Sequence, residues 1–295
     1  MDMTKYEEYW EAARATYFEN WPEGLMNHSI ATVLIELTDQ ERLDLLDMNM
    51  MSIEDVASSR SLQEFKAYCR ERQDRLHNLI TRITKVITQF PHQKAFVKLS
   101  SRSPKDSWRG IQEGFECTLG AYAIDLLNSS ERVWDDLHLQ KSHSYPTFLA
   151  VREWKDIDPH LEFRVIKIGD HLSISQYDYT RGSWTMRPGG DPNTIWWVIR
   201  KFYVDIKHML PDDVVFDVFL DLNYQIMSAS LTTPQPDAPQ QFGTAGHVSW
   251  KCTLIELNPV MIWTDPCLFD WNKDSFDHDE FRYLGGDKEV IKVRL

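Results

Sequence analysis

Four strand-like runs carry a charge or an amide where a buried strand should be apolar: AFVKL (95–99), LEFRVIKI (161–168), VVFDVFL (214–220) and TLIELNPV (253–260). Side chains two apart on an extended strand share a face, so Glu256 and Asn258 project together, as do Glu162 and Arg164, while Asp217 lies with Val215 and Phe219. An unpartnered buried carboxylate is costly. Each strand must therefore meet a cation, a basic side chain or water, or lie at an exposed edge. For a single strand a salt bridge suffices, and Asp217–Lys98 and Glu162–Arg164 are candidate pairs. As a group the residues also suit a nucleotide–metal site. Asp217, Glu256 and Asn258 offer the hard oxygen ligands that Mg²⁺ takes alongside phosphate. Lys98, Arg152 and Arg164 match a polyphosphate, lysine as a point charge and arginine as a two-pronged donor. No GxxxxGK[ST] or GxGxxG occurs, so neither a P-loop nor a Rossmann domain is supported.

A chain of 295 residues with 42% hydrophobic composition can form one large domain or two intimate ones. Up to about residue 90 the apolar spacing of three and four predicts helices, with residues 61–90 read as one long helix and SIATVLIEL (29–37) as an intervening strand. From residue 94 short β-like runs dominate. A helix over 193–210 interrupts them, with its start signalled by Asp191, Pro192 and Asn193. This mixture predicts an α+β fold with antiparallel-rich sheets, divided into an N-terminal lobe (1–148) and a C-terminal lobe (149–295). MNMMSIEDVASSR (48–60) reads as a connecting loop, and the Pro/Gln-rich TTPQPDAPQQFGTAGH (232–247) as a mobile one.

The balance of 45 acidic against 32 basic residues, a net charge of −13, disfavours RNA or bulk nucleic acid as a partner. No run approaches the roughly 20 apolar residues of a membrane span, and MDMTKYEEYWEAAR lacks the features of a signal peptide, so a cytoplasmic location is expected. Cys69, Cys117, Cys252 and Cys267 form no CxxC pair and read as reduced core thiols. The histidines lack HExxH spacing, and Ser129 and Ser130 lack a GxSxG context and read as caps or turns.

Several blocks, in order, resemble the cell division cycle protein 123 family, a divergent clade of the ATP-grasp fold. FVKLSSRSPKD (96–106) is similar to that family's Lys-Leu-Asn-Trp-Ser-Ala-Pro-Arg/Lys-Asp segment, and LLNSSERVWDDL (126–137) to its Leu-Leu-Lys-Ser-Ser stretch. VREWKDIDPHLEFRVIKIGDHLSISQYDY (151–179), VFDVF and IELNPVMIWTDPCLF resemble its hinge, phosphate and closing metal-site strands. The resemblance implies ATP and Mg²⁺ gripped between two lobes. Lys98 would meet phosphate or adenine, Leu149, Ala150, Val151 and Arg152 would form the adenine hinge, Arg164 would hold phosphate, and Asp217, Glu256 and Asn258 would bind Mg²⁺. Asp106, Gln176, Asp178 and Asp265 match positions lining the same cleft.

The departures fall at Ser100-Ser101-Arg102, Asn128, Tyr177 and Glu256, where the family has Asn-Trp-Ser, lysine, arginine and aspartate. They suggest a divergent paralogue. The first functional expectation is an ATP-dependent ligase that activates a carboxylate, or an RNA or protein end, for a second substrate. The Glu-x-Asn pair favours it, and its catalytic work would fall to Lys98, Arg164 and Asp217 through positioning and charge neutralisation. The alternative is the family's known role, an ATP-bound assembly factor with a subunit of translation initiation factor 2 as partner.

Overall fold

The computed structural model describes residues 3–49, 61–180, 191–225, 247–285 and 288–294. Residues 50–60 and 232–246, where two loops are expected, lie outside these; His247 opens a strand. Contacts divide the chain into two compact units: Met1–Asp156 with Leu257–Met261, and Ile157–Glu256 with Ile262–Leu295.

In the first unit, helices α1 (Met3–Arg14), α2 (Glu23–Met26), α3 (Asp39–Met48), α4 (Leu62–Arg75), α5 (His77–Ile87), α6 (Trp108–Glu113), α7 (Gly120–Asn128) and α8 (Glu131–Ser142) accompany a three-stranded sheet. That sheet runs β1 (Thr32–Glu36), β3 (Phe148–Glu153), β2 (Ala95–Leu99), antiparallel throughout. Thr38 and Glu41 form a reciprocal capping box that starts α3. Leu79, Ile83 and Ile87, four apart on α5, are fully buried and join Val97, Leu99, Leu149 and Val151 in one core. A Cβ on Gly120 would sit 2.2 Å from the Ile80 carbonyl oxygen, so only glycine admits the approach of α7 to α5.

The long helix expected over 61–90 is two helices, α4 and α5, broken at Leu76, whose ψ of −5° departs from helical geometry. Leu76 is buried in the core, whereas α4 carries no apolar stripe comparable to that of α5, so the two segments are held by different surfaces. Residues 149–156 belong to the first unit because β3 is the central strand of its sheet.

The second unit holds a six-stranded sheet, ordered β7 (His247–Asn258), β6 (Val214–Gln225), β4 (Glu162–Ile168), β5 (His171–Gln176), β8 (Glu280–Leu284), β9 (Val290–Arg294). The β4–β5, β4–β6 and β8–β9 pairs are antiparallel and β5–β8 is parallel. Helix α9 (Pro192–Ile206) starts where the sequence places it, with Asp191 accepting from the Asn193 and Thr194 amides. Register sorts the sheet faces. Phe163, Val165, Ile174, Phe216, Val218 and Phe281 share one face; Arg164, Ser175, Asp217 and Arg282 share the other. The α+β architecture is as expected. Among the described residues no helix is long and apolar enough to cross a membrane.

Ile83→Ala removes a fully buried side chain from the first unit's core and should cost about 2–5 kcal/mol in chemical denaturation. A loss below about 1 kcal/mol would show that α5 is not central to that core.

Candidate functional site

In the first unit's sheet, alternation sends Ile35, Val97, Leu99, Leu149 and Val151 into the core, and Thr32, Lys98, Ala150 and Arg152 to the opposite face. Lys98 and Arg152 are both buried there. Phe18, in a short 3₁₀ turn, lies against both. The Lys98 Nζ is 5.2 Å and the Arg152 guanidinium carbon 4.8 Å from its ring centroid. Arg152 donates from Nε to Thr32 Oγ1 (3.2 Å) and from Nη2 to Ser29 Oγ (3.0 Å). Two desolvated cations therefore share one face of this sheet. Leu149, Ala150 and Val151, expected as an adenine hinge, are fully buried in the middle of β3, and only Ala150 shares the face of Lys98.

Phe18 escaped the sequence reading, as did its neighbour Glu19. Both Glu19 carboxylate oxygens are shielded from solvent without a hydrogen-bond partner, and so is Ser100 Oγ. Burial raises the Glu19 pKa. The Glu19 main-chain amide opposes the rise, as do the Ser100 and Tyr145 hydroxyls.

In the second unit, Arg164 pairs across the strands with Asp217 rather than along its own strand with Glu162. Nε donates to Oδ1 at 2.8 Å and Nη2 to Oδ2 at 2.7 Å, with the residues directly opposite in register and 5% and 1% exposed. Nη1 donates to the Asp265 main-chain oxygen at 2.6 Å. Three of the five guanidinium N–H groups are thus engaged by the described residues. Burial works to lower the Arg164 pKa, but the charge and hydrogen bonds of Asp217 outweigh it and hold the value well above that of ordinary arginine. The Tyr177 ring lies 4.9 Å from the Arg164 guanidinium carbon and offers it a cation–π surface. Asp265 accepts from Tyr179 Oη (2.9 Å) and from the Cys267 amide (2.8 Å). Burial pushes the Cys267 thiol up to about 12, with Arg164 opposing.

Gln176 and Asp178 serve the local fold. Gln176 donates to the Asp178 main-chain oxygen and accepts from the Leu284 amide; Asp178 accepts from the Thr180 amide and hydroxyl. Asp106 sits at the start of α8, accepting from the Ser130 hydroxyl and the Arg132 amide, and Ser130 caps that helix as expected. Arg102, one of the departures, is committed to Asp136 and Tyr9. Glu256 and Asn258 are half-buried at the end of β7. Among the described residues no three His, Cys, Asp or Glu side chains form a metal-binding group. The Asp217 and Glu256 carboxylates, both in the second unit, still fit a hard cation by donor chemistry, because Mg²⁺ uses few carboxylates and completes its shell with water and phosphate.

Residues 26–290 match the D123 family model. The chain belongs to the D123 family. Among its relatives, cell division cycle protein 123 of Eremothecium gossypii is 30% identical over 192 residues, 60% of this chain and 45% of that protein. The translation initiation factor eIF2 assembly protein of Candida albicans is 27% identical over 215 residues, 64% and 53% of the two chains. The solved structure of Cdc123 from Schizosaccharomyces pombe superposes with a TM-score of 0.61 at 19% identity, over 89% of this chain and 90% of that one, and shows a shared fold. The chain spans about half the length of the curated relatives it matches. Phe18 and Glu19 precede the stretch matched to the D123 family.

Asp217→Ala strands Arg164 as a buried, unpaired charge, which should destabilise the second unit by about 3–5 kcal/mol in denaturant unfolding. An unchanged midpoint would mean that the pair is not buried in solution. Glu19 gives a pH signature of defined sign. Its folded pKa lies above its unfolded value, so the native state binds the extra proton and stability falls as pH rises from the ordinary glutamate pKa through the raised one. Glu19→Gln should raise Tm at neutral pH and flatten that slope; an equal or lower Tm would place a partner on the carboxylate.

Proposed function

We propose that this D123-family chain is an ATP-binding assembly factor acting on a subunit of translation initiation factor 2. The observation that carries the reading is the naming of its relatives, among them the eIF2 assembly proteins of Lodderomyces elongisporus and Candida albicans. The ligase expectation has no comparable support: none of the relatives cited here is named for ligation.

Nucleotide binding is part of the same proposal, with an ATP-grasp type of fold as its frame. In the first unit Lys98 and Arg152 are the proposed phosphate or adenine contacts, on the face that Phe18 covers. In the second unit Arg164 is the proposed phosphate contact, through the N–H groups that Asp217 and Asp265 leave over. Asp217 and Glu256, followed by Asn258 on the same strand, are the proposed Mg²⁺ ligands. Mg²⁺ would neutralise phosphate charge there, and Arg164 would fix the direction of both Asp217 oxygens.

Calorimetry of the full chain with ATP and Mg²⁺, followed by product analysis and by co-purification with initiation factor 2 subunits, tests the proposal. ATP should bind, remain largely uncleaved, and strengthen capture of a factor 2 subunit. Absence of ATP binding would remove the nucleotide half, and sustained ADP or AMP release in the presence of an acceptor would restore the ligase. Lys98→Ala should weaken ATP binding by about 1–3 kcal/mol, the range for losing a hydrogen bond to a charged group; unchanged affinity would make Lys98 a structural cation.

A further inference from the structure

Strand register in the second unit lines up five polar residues in a single cross-strand row. Asp217 on β6 faces Arg164 on β4, Arg164 faces Ser175 on β5, Ser175 faces Arg282 on β8, and Arg282 faces Lys292 on β9. Asp217, Arg164, Ser175 and Arg282 are each no more than 5% exposed. Buried polar groups must be satisfied, and the chain segment after β7 supplies the partners. Arg164 Nη1 donates to the Asp265 oxygen at 2.6 Å, the Leu268 amide donates to Ser175 Oγ at 3.1 Å, and Arg282 Nη1 donates to the Leu268 oxygen at 3.0 Å. Three neighbouring members of the row therefore grip the main chain of residues 265–268.

Arg282 differs from Arg164 in one decisive respect. Its Nε donates to Glu280 Oε1, Nη1 to Leu268 O and Asp274 Oδ2, and Nη2 to Asp274 Oδ1 and Glu280 Oε2, which engages all five N–H groups. Its guanidinium carbon also lies 3.9 Å from the Phe269 ring centroid. A guanidinium with every donor committed has none for a ligand. What it can do is hold the segment that carries Asp265 and Cys267, the latter at a φ of 56° that a non-glycine residue adopts only when its surroundings impose it.

We propose that Arg282 is a positioning residue for the Arg164–Asp217 site. By clamping the Leu268 peptide it fixes the turn whose Asp265 oxygen orients the Arg164 guanidinium, so nucleotide affinity depends on a side chain that does not touch the nucleotide. This rests on the nucleotide reading above.

The test compares ATP–Mg²⁺ affinity by calorimetry and amide hydrogen exchange over residues 264–272 in the full-length wild type, Ser175→Ala, Arg282→Lys and the double variant. Ser175→Ala removes the acceptor of the Leu268 amide together with a local donor to the Gln176 main-chain oxygen, and Arg282→Lys keeps the charge but not the planar fork, so both preserve the fold better than a neutral substitution at Arg282. Arg282→Lys should weaken ATP binding about tenfold and speed exchange at Cys267 and Leu268. The double variant should lose less than the product of the single losses, because both act through one peptide. Wild-type affinity in folded Arg282→Lys, or strictly multiplicative losses, would overturn the positioning role while leaving the nucleotide reading intact. A wild type that binds no ATP would sink that reading first.

Discussion

The Arg164–Asp217 pair is the interaction on which the second unit depends. Two buried charges directly opposite each other across β4 and β6 fix the register of those strands, since a slip of one residue would carry one of them to the face of Phe163 and Phe216 and leave the other unpaired. From that fixed point the polar row runs through Ser175 and Arg282, and the main chain of residues 265–268 lies along it. The charged row thus runs through a sheet face that it shares with buried apolar residues such as Ile166 and Val215.

The two units reach a charged face by different routes. In the first, two cations share one aromatic ring, and Arg152 is oriented by neutral hydroxyls of Ser29 and Thr32. In the second, Arg164 meets a carboxylate on one side and a peptide oxygen on another, with part of its donor set left over.

Much of this was legible in the sequence. Alternation within LEFRVIKI and VVFDVFL sets Glu162 with Arg164 and Asp217 with Val215 and Phe219, and the strand register keeps those faces. The Asp191 start signal and the Ser130 cap were readable because capping is local chemistry. Other features were not. Arg164 finds its partner on another strand, a choice that depends on strand order and cannot be read from spacing along one run. Phe18 meets Lys98 only through the folding of a distant turn, and nothing around it forms a motif. Arg282 sits in EFRYL, where no motif singles it out, and its place in the polar row emerges only when β5 and β8 are paired. The break at Leu76 is equally hidden, since both halves of the 61–90 segment have helical spacing and only the packing of Leu76 separates them.

A crystal structure of the full chain with ATP and Mg²⁺ tests the central claim most directly. The account predicts phosphate oxygens within hydrogen-bonding distance of Arg164, and metal density on Asp217 with Glu256 or Asn258. Saturating ATP bound away from Arg164, with Asp217 held by that arginine alone, would contradict it.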